Sequence, residues 1–313
     1  MKPFAAAVLT VVTACAYYNA MWRAEQFAKE ARRLEASGRP TEAAAAWARA
    51  RDKAESVLAR HPRSRWADDA LVLRNEGIAG SGVCRASDTL LEEARKSVTE
   101  GALLERATLA AAVCALRSGN PRAVDDLLAN VRSSRNAGRR SRAAFLSGEA
   151  AWARGEGSGA LDWYARSDLP AAALARVRVF LALGRYEEMM GAVDKLARRT
   201  ATAAAWGDLL AAVAQTAGPD TASQALERLL HRAWLPAAQR AGLLLADGDR
   251  LRAAGRMDAA AARYAIVQRL VPDSADGAAA ATRLAPAGAA APTPGPRGPD
   301  PDAILGRRNR DRP

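Results

Sequence analysis

The stretch GLLLADGDRLRAAGRMDAAAARYAIVQRLVP, residues 242–272, decides the fold. Two apolar-periodic segments flank the break Ala254-Gly255-Arg256, and each reads as a helix with one buried face. Gly255 permits the left-handed backbone that ends a helix, and the next helix begins a few residues later. Pro272 closes the second segment, because proline cannot continue a helix. The same break recurs along the chain, at Gly38, Gly82, Gly119, Gly155, Gly184, Gly218 and Gly255, with spacings of 44, 37, 36, 29, 34 and 37 residues. Self-similarity at such a period marks a repeat array. The unit is a helix–turn–helix pair, and about seven of them fill residues 15–285. Length alone argues for two globular domains, but an array grows along one axis and escapes that count.

Composition agrees. Half of the 313 residues are hydrophobic while aromatics make up 5%. Ala, Leu, Arg and Glu dominate, all strong helix formers, so the chain is expected to be all-α. The formal charge is +12 at pH 7. Only Lys2, Lys29, Lys53, Lys96 and Lys195 are lysines, so the excess is nearly all arginine. It reads as a solvated basic surface or as attraction to an anionic partner. No basic run is interleaved with aromatics and no nucleic-acid module is recognisable, which argues against nucleic acid as a partner.

Residues 242–272 resemble the tetratricopeptide repeat. Gly248 and Leu251 fall where that repeat places a small and a large residue in its first helix. Gly255 makes the turn, and Ala260 and Tyr264 take the small and aromatic positions of the second helix, which Pro272 closes. Gly148, Gly155, Ala160 and Tyr164 repeat the pattern, as do Ala31, Leu34, Gly38, Ala43 and Trp47. The packing reason is plain: small residues let two helices approach, and a bulky partner fills the groove beside them. Residues 64–97 and 202–232 match least. The resemblance implies a tetratricopeptide-like superhelical solenoid that binds protein or peptide partners along its inner helices; the residues themselves show no GxSxG, HExxH or Walker motif, so no catalysis and no cofactor are expected.

The N-terminus carries a second signal. Met1-Lys2-Pro3 is a short positive segment, and Phe4 to Ala14 is uncharged and apolar. Eleven residues suit an export signal and fall short of the ~20 needed to span a bilayer. Val12-Thr13-Ala14-Cys15 resembles a lipobox. On that reading residues 1–14 are a lipoprotein signal peptide, and Cys15 is lipidated and becomes the new N-terminus. The competing reading is a buried thiol in a first helix. Ala16, rather than Asp, follows the cysteine; by resemblance to lipoprotein sorting this favours the periplasmic face of the outer membrane. Tyr17, Tyr18, Met21 and Trp22 read either as a cap on the first helix or as an aromatic belt at the headgroups. The run His61 to Leu73, HPRSRWADDALVL, resembles the repeat junctions of BamD-type outer-membrane assembly lipoproteins. That resemblance implies a scaffold in envelope assembly; a periplasmic adaptor for peptidoglycan or cell-division machinery is the alternative.

Cys84 and Cys114 lie thirty positions apart. In an exported protein such a pair is a candidate disulfide between neighbouring repeats, with two buried free thiols as the alternative. There is no Cys/His cluster for a metal. His61 and His231 read as helix ends. Gly155-Glu156-Gly157-Ser158-Gly159 lacks the strand and lysine of a phosphate-binding loop and reads as a repeat turn. Asp68-Asp69 and Glu187-Glu188 are helix neighbours whose side chains point apart. From about residue 286 the chain is rich in Pro, Ala and Gly, which argues for a disordered tail over 286–313. The tail ends in Ile304 and Leu305 beside Arg307, Arg308, Arg310 and Arg312, either a solvated end or a short docking motif.

Overall fold

Six of the seven predicted breaks become the turn of a helical hairpin. The computed structural model describes residues 3–37, 39–84, 87–197 and 203–285. Side chains at 3–19, 87, 88, 90, 91 and 203–205 are outside this description. Among the described residues the secondary structure is fifteen α-helices and one short 3₁₀ turn, with no strand. The hairpins are α1 (Pro3–Ala36) with α2 (Pro40–Arg60), α3 (Ala67–Ser81) with α4 (Ser87–Ser97), and α5 (Gly101–Arg117) with α6 (Ala123–Leu128). Next come α7 (Ala137–Ala153) with α8 (Gly157–Ala165), α9 (Pro170–Ala182) with α10 (Tyr186–Ala197), and α11 (Ala203–Ala217) with α12 (Pro219–Arg232). α13 (Ala237–Ala253) pairs with α14 (Met257–Leu270), and α15 (Ala275–Leu284) follows. The chain is an all-α helical repeat solenoid built of tetratricopeptide-like hairpins.

Gly82, Gly119, Gly155, Gly184, Gly218 and Gly255 all have positive φ, between 68° and 91°, and each lies between the two helices of one hairpin. At these positions a Cβ is strained, so glycine ends the first helix where other residues would carry it on. Gly38 lies outside the described residues, as does the tail 286–313.

The helices form two compact units, Met1–Pro236 and Ala237–Pro313. In the first unit the leading helices of successive hairpins stack in a row, α1 on α3, α3 on α5, α5 on α7, α7 on α9 and α9 on α11. Small residues make this possible. Met21, Ala24, Ala28 and Ala31 form a buried stripe along α1, against Ala43, Ala46, Trp47, Ala50, Ala54 and Val57 of α2. Spacings of three and four residues keep each set on one helix face. Met21 is thus core, while Trp22 beside it is exposed. Tyr17 and Tyr18 lie outside the described side chains. In the second unit α13, α14 and α15 pack on one another, with Leu251, Ala260, Tyr264 and Val267 buried. Pro272 closes α14, and its carbonyl lies against Gly277 of α15, where a Cβ would come within 2.8 Å.

One arrangement recurs. A Cβ on Gly148 would lie 2.5 Å from the Tyr164 ring, and one on Gly248 would lie 2.6 Å from the Tyr264 ring. The ring fills the space that the glycine leaves. Its hydroxyl then donates to a carboxylate on the first helix: Tyr164 to Glu149 at 2.6 Å, Tyr264 to Asp249 at 2.9 Å. In the first hairpin Trp47 Nε1 donates to Glu35 at 2.7 Å. The interval from small residue to aromatic is sixteen in each case, 31 to 47, 148 to 164 and 248 to 264. Burial and the neighbouring Glu149 push the Tyr164 phenol well above its ordinary 10.0. Leu34 and Ala43 share a core with Trp47, and Ala160 is fully buried.

Candidate functional site: a cationic groove on the leading helices

The first unit carries a groove of ≈ 830 Å³. Its walls come from α1, α3, α5 and the start of α7, the leading helices of four successive hairpins, with Trp47 contributed by α2. Helical spacing explains the lining. Glu25, Lys29, Arg32 and Glu35 recur at three or four residues and so share one face of α1, and Arg106, Ala110, Val113 and Arg117 do the same on α5. Asn136 caps α7 by accepting from the Arg139 backbone N–H at 3.0 Å. Starting the helix there puts Arg139 and Arg142 on one side of it.

The floor is apolar, with Leu73, Ala79, Leu109 and Val113, and the walls are charged. Six cations line the groove, Lys29, Arg32, Arg106, Arg117, Arg139 and Arg142, against three carboxylates, Glu25, Glu35 and Glu76. Glu76 sits at the centre. Arg106 donates to both its oxygens, Nε to Oε1 at 2.9 Å and Nη2 to Oε2 at 2.8 Å, and Arg32 donates to Oε2 at 2.7 Å. One carboxylate therefore ties α1, α3 and α5 together. Burial pushes the Glu76 carboxyl up, but the Arg106 hydrogen bonds and the charges of Arg106 and Arg32 outweigh it and hold it below 4.5. The Arg32 guanidinium also lies 5.3 Å from the Trp47 ring centre, a cation–π contact. Arg139 pairs with Glu105, which Ser134 also bonds, and Arg142 lies 3.9 Å from Glu35. Among the described residues Lys29 and Arg117 make no ion pair.

The structure joins Cys84 and Cys114 as a disulfide with a Cα–Cα distance of 5.1 Å. It links the end of the α3 hairpin turn to α5 beside the groove. Cys15 lies on α1 by its backbone, and its side chain is outside the described ones. Among the described residues no helix is long and apolar enough to cross a membrane. His61 caps the C-terminus of α2 and His231 lies in the last turn of α12. Glu156 precedes α8, so the Gly155–Gly159 run is the turn and first residues of that helix. Asp68-Asp69 and Glu187-Glu188 lie in the first turns of α3 and α10, where negative charge suits the helix dipole. Sequence reasoning expected binding on the inner helices but picked out none of the groove's cations. Their signal is a charged stripe at three- and four-residue spacing beside the apolar one.

No family model and no curated protein matches the chain. Among solved structures it is similar to a tetratricopeptide repeat protein from Parabacteroides merdae ATCC 43184. The identity there is 12% and the TM-score 0.43, over 84% of this chain and 98% of that one. It is also similar to the APC/C hetero-tetramer Cut9-Hcn1, at 14% identity and TM-score 0.42, over 80% of this chain and 49% of that one. This chain thus spans about half the length of the second.

Proposed function

We propose that this protein is a non-catalytic scaffold that holds a segment of a partner protein in the groove of its first four hairpins. The observation that carries the reading is the groove itself, which sets apolar and charged side chains side by side on stacked leading helices. Such a surface suits a polypeptide, whose backbone and mixed side chains need both kinds of contact. The lipobox-like Val12-Thr13-Ala14-Cys15 supports export and attachment by lipid at Cys15. Acyl chains beyond the first make such an anchor stable. Together with the BamD-like junction at residues 61–73, this supports a place in outer-membrane protein assembly on the periplasmic face.

The test has two parts. Wild type and Cys15→Ser are compared by membrane fractionation, with the N-terminal mass determined. Wild type should be membrane-bound with lipid on Cys15, and the variant should be released. A soluble wild type with Met1 intact would remove the envelope part of the reading. A photo-crosslinking residue at Gln26, which lines the groove, is compared with one at Arg63, outside it. Crosslinks from position 26 and none from 63 support the groove; equal yields refute it.

A further inference from the structure

The disulfide and the groove meet at one residue. Cys84 and Cys114 share a small core cluster with Ala79, Ala110 and Val113, and those three also line the groove. Arg117 lies one turn beyond Cys114 on α5. Its guanidinium rests on the turn that the disulfide tethers: a Cβ on Gly82 would lie 2.7 Å from Arg117 Nη1. That turn has few other ties to α5. Gly82 and Val83 bond back to their own helix α3, and across to α5 the Ser118 hydroxyl donates to the Cys84 carbonyl at a long 3.4 Å. Val83 between them is 52% exposed. Gly82 is thus carried by the end of α3, which packs on Ala110 of α5, and the disulfide is the covalent tie that fastens this end to α5 beside Arg117.

Arg117 matters because of the groove's charge. Arg32 and Arg106 share one carboxylate, Glu76, so the walls keep an excess of positive charge. Among the described residues Arg117 and Lys29 have no ion-pair partner to share. They present guanidinium and ammonium donors to whatever enters. A carboxylate is the group that satisfies them, by charge-assisted hydrogen bonds of the strong kind. The chain's own basic tail carries the wrong sign.

We propose that the Cys84–Cys114 disulfide positions Arg117 in the groove wall, so that the groove grips a carboxylate-bearing segment of its partner protein tightly only in the oxidised protein. This rests on the groove reading above. Reduction is a two-electron exchange with a dithiol. The S–S bond breaks, Cys84 and Cys114 each gain a proton as thiols, and the reductant closes to its own disulfide. The end of α3 that carries Gly82 then loses its covalent fastening to α5, and the surface on which Arg117 rests loosens.

The experiment uses the full chain and a fluorescein-labelled peptide of alternating Glu and Leu, read by anisotropy with and without dithiothreitol. Peptides with Gln or Lys in place of Glu serve as comparison. The oxidised protein should bind the Glu peptide, and Arg117→Ala should weaken this about tenfold, the size expected for one charge-assisted hydrogen bond. Reduction of wild type should weaken it to a similar degree, and reduction of Arg117→Ala should add little. Circular dichroism checks that helix content survives reduction. Cys84→Ser/Cys114→Ser should bind as weakly as reduced wild type, and should it fail to fold, Arg117→Ala with and without dithiothreitol still decides. Equal binding by wild type and Arg117→Ala overturns the proposal. So does an equal loss on reducing either protein, since the disulfide would then act through something other than Arg117. Preference for the Lys peptide overturns it as well. If groove crosslinks form while Arg117 proves irrelevant, the scaffold reading stands and this inference falls.

Discussion

Two kinds of glycine do different work here. Gly248 is a space for Tyr264, and a methyl group there meets the ring at 2.6 Å. Gly248→Ala should lower stability by about 1–3 kcal/mol, the usual cost of overpacking. Gly191, inside α10, has nothing within 4 Å of a built Cβ and no positive φ. Gly191→Ala should therefore raise stability by about 0.5–1 kcal/mol through helix propensity. Urea unfolding of both variants checks the pair, and a loss at Gly191 equal to that at Gly248 would refute the distinction. Glu76 makes a prediction about pH. Its carboxyl is held below 4.5, so its ion pairs add stability that is complete above 4.5 and disappears as pH falls through the lowered value. The difference in Tm between wild type and Glu76→Gln should thus be largest near neutrality and shrink in acid. A difference constant from pH 7 to pH 3 would show that Glu76 is not the proton-linked group.

At the scale of helices, close approach is set by where small residues face. A Cβ on Gly80 of α3 would fall 2.2 Å from the Trp47 indole of α2, and one on Gly77 would fall 2.7 Å from Arg51 Cβ. The tryptophan is thus packed between its own hairpin and the next. Gly80→Val should force α2 and α3 apart and lower stability by about 2–3 kcal/mol, with Trp47 fluorescence shifted to the red. An unshifted emission would mean that the helices absorb the change elsewhere. The same residues explain what the sequence left obscure. The hairpins at 148–164 and 248–264 are legible because each glycine faces its own aromatic, and 31–47 because Ala31 and Trp47 keep the same interval in one core. α3 is different, since Ala70 and Leu73 pack with α1 and α2 while Leu71 and Val72 pack with Ala94, Leu103 and Ala107. A helix buried on two faces loses the 3.6-residue alternation, so residues 64–97 look degenerate although they fold as the rest do. The groove was hidden for another reason. With arginine so abundant, no single arginine stands out, and only the stacking of α1, α3, α5 and α7 selects the few that line it.

The whole molecule divides into two compact units, and its seven tryptophans, Trp22, Trp47, Trp66, Trp152, Trp163, Trp206 and Trp234, all belong to the first. Tryptophan fluorescence therefore follows that unit alone, while far-UV circular dichroism follows all the helices. In an array whose stability is a sum of local contacts, Gly248→Ala should shift part of the dichroism transition and leave the tryptophan transition in place. Equal shifts by both probes would show a single cooperative block. The sixteen-residue interval has a consequence of another kind. Within a hairpin, the distance along the chain from small residue to aromatic is the same in the three best-matched hairpins, and in two of them the ring stands where a Cβ on the glycine would be. Between hairpins nothing imposes such a count, and the glycine breaks are separated by anything from 29 to 44 residues. Length is thus free beyond the aromatic, where the second helix runs from 6 residues in α6 to 21 in α2, and fixed between small residue and aromatic. A descendant of this chain can change its reach by gaining or losing whole links, while the sixteen-residue heart of each such link stays as it is.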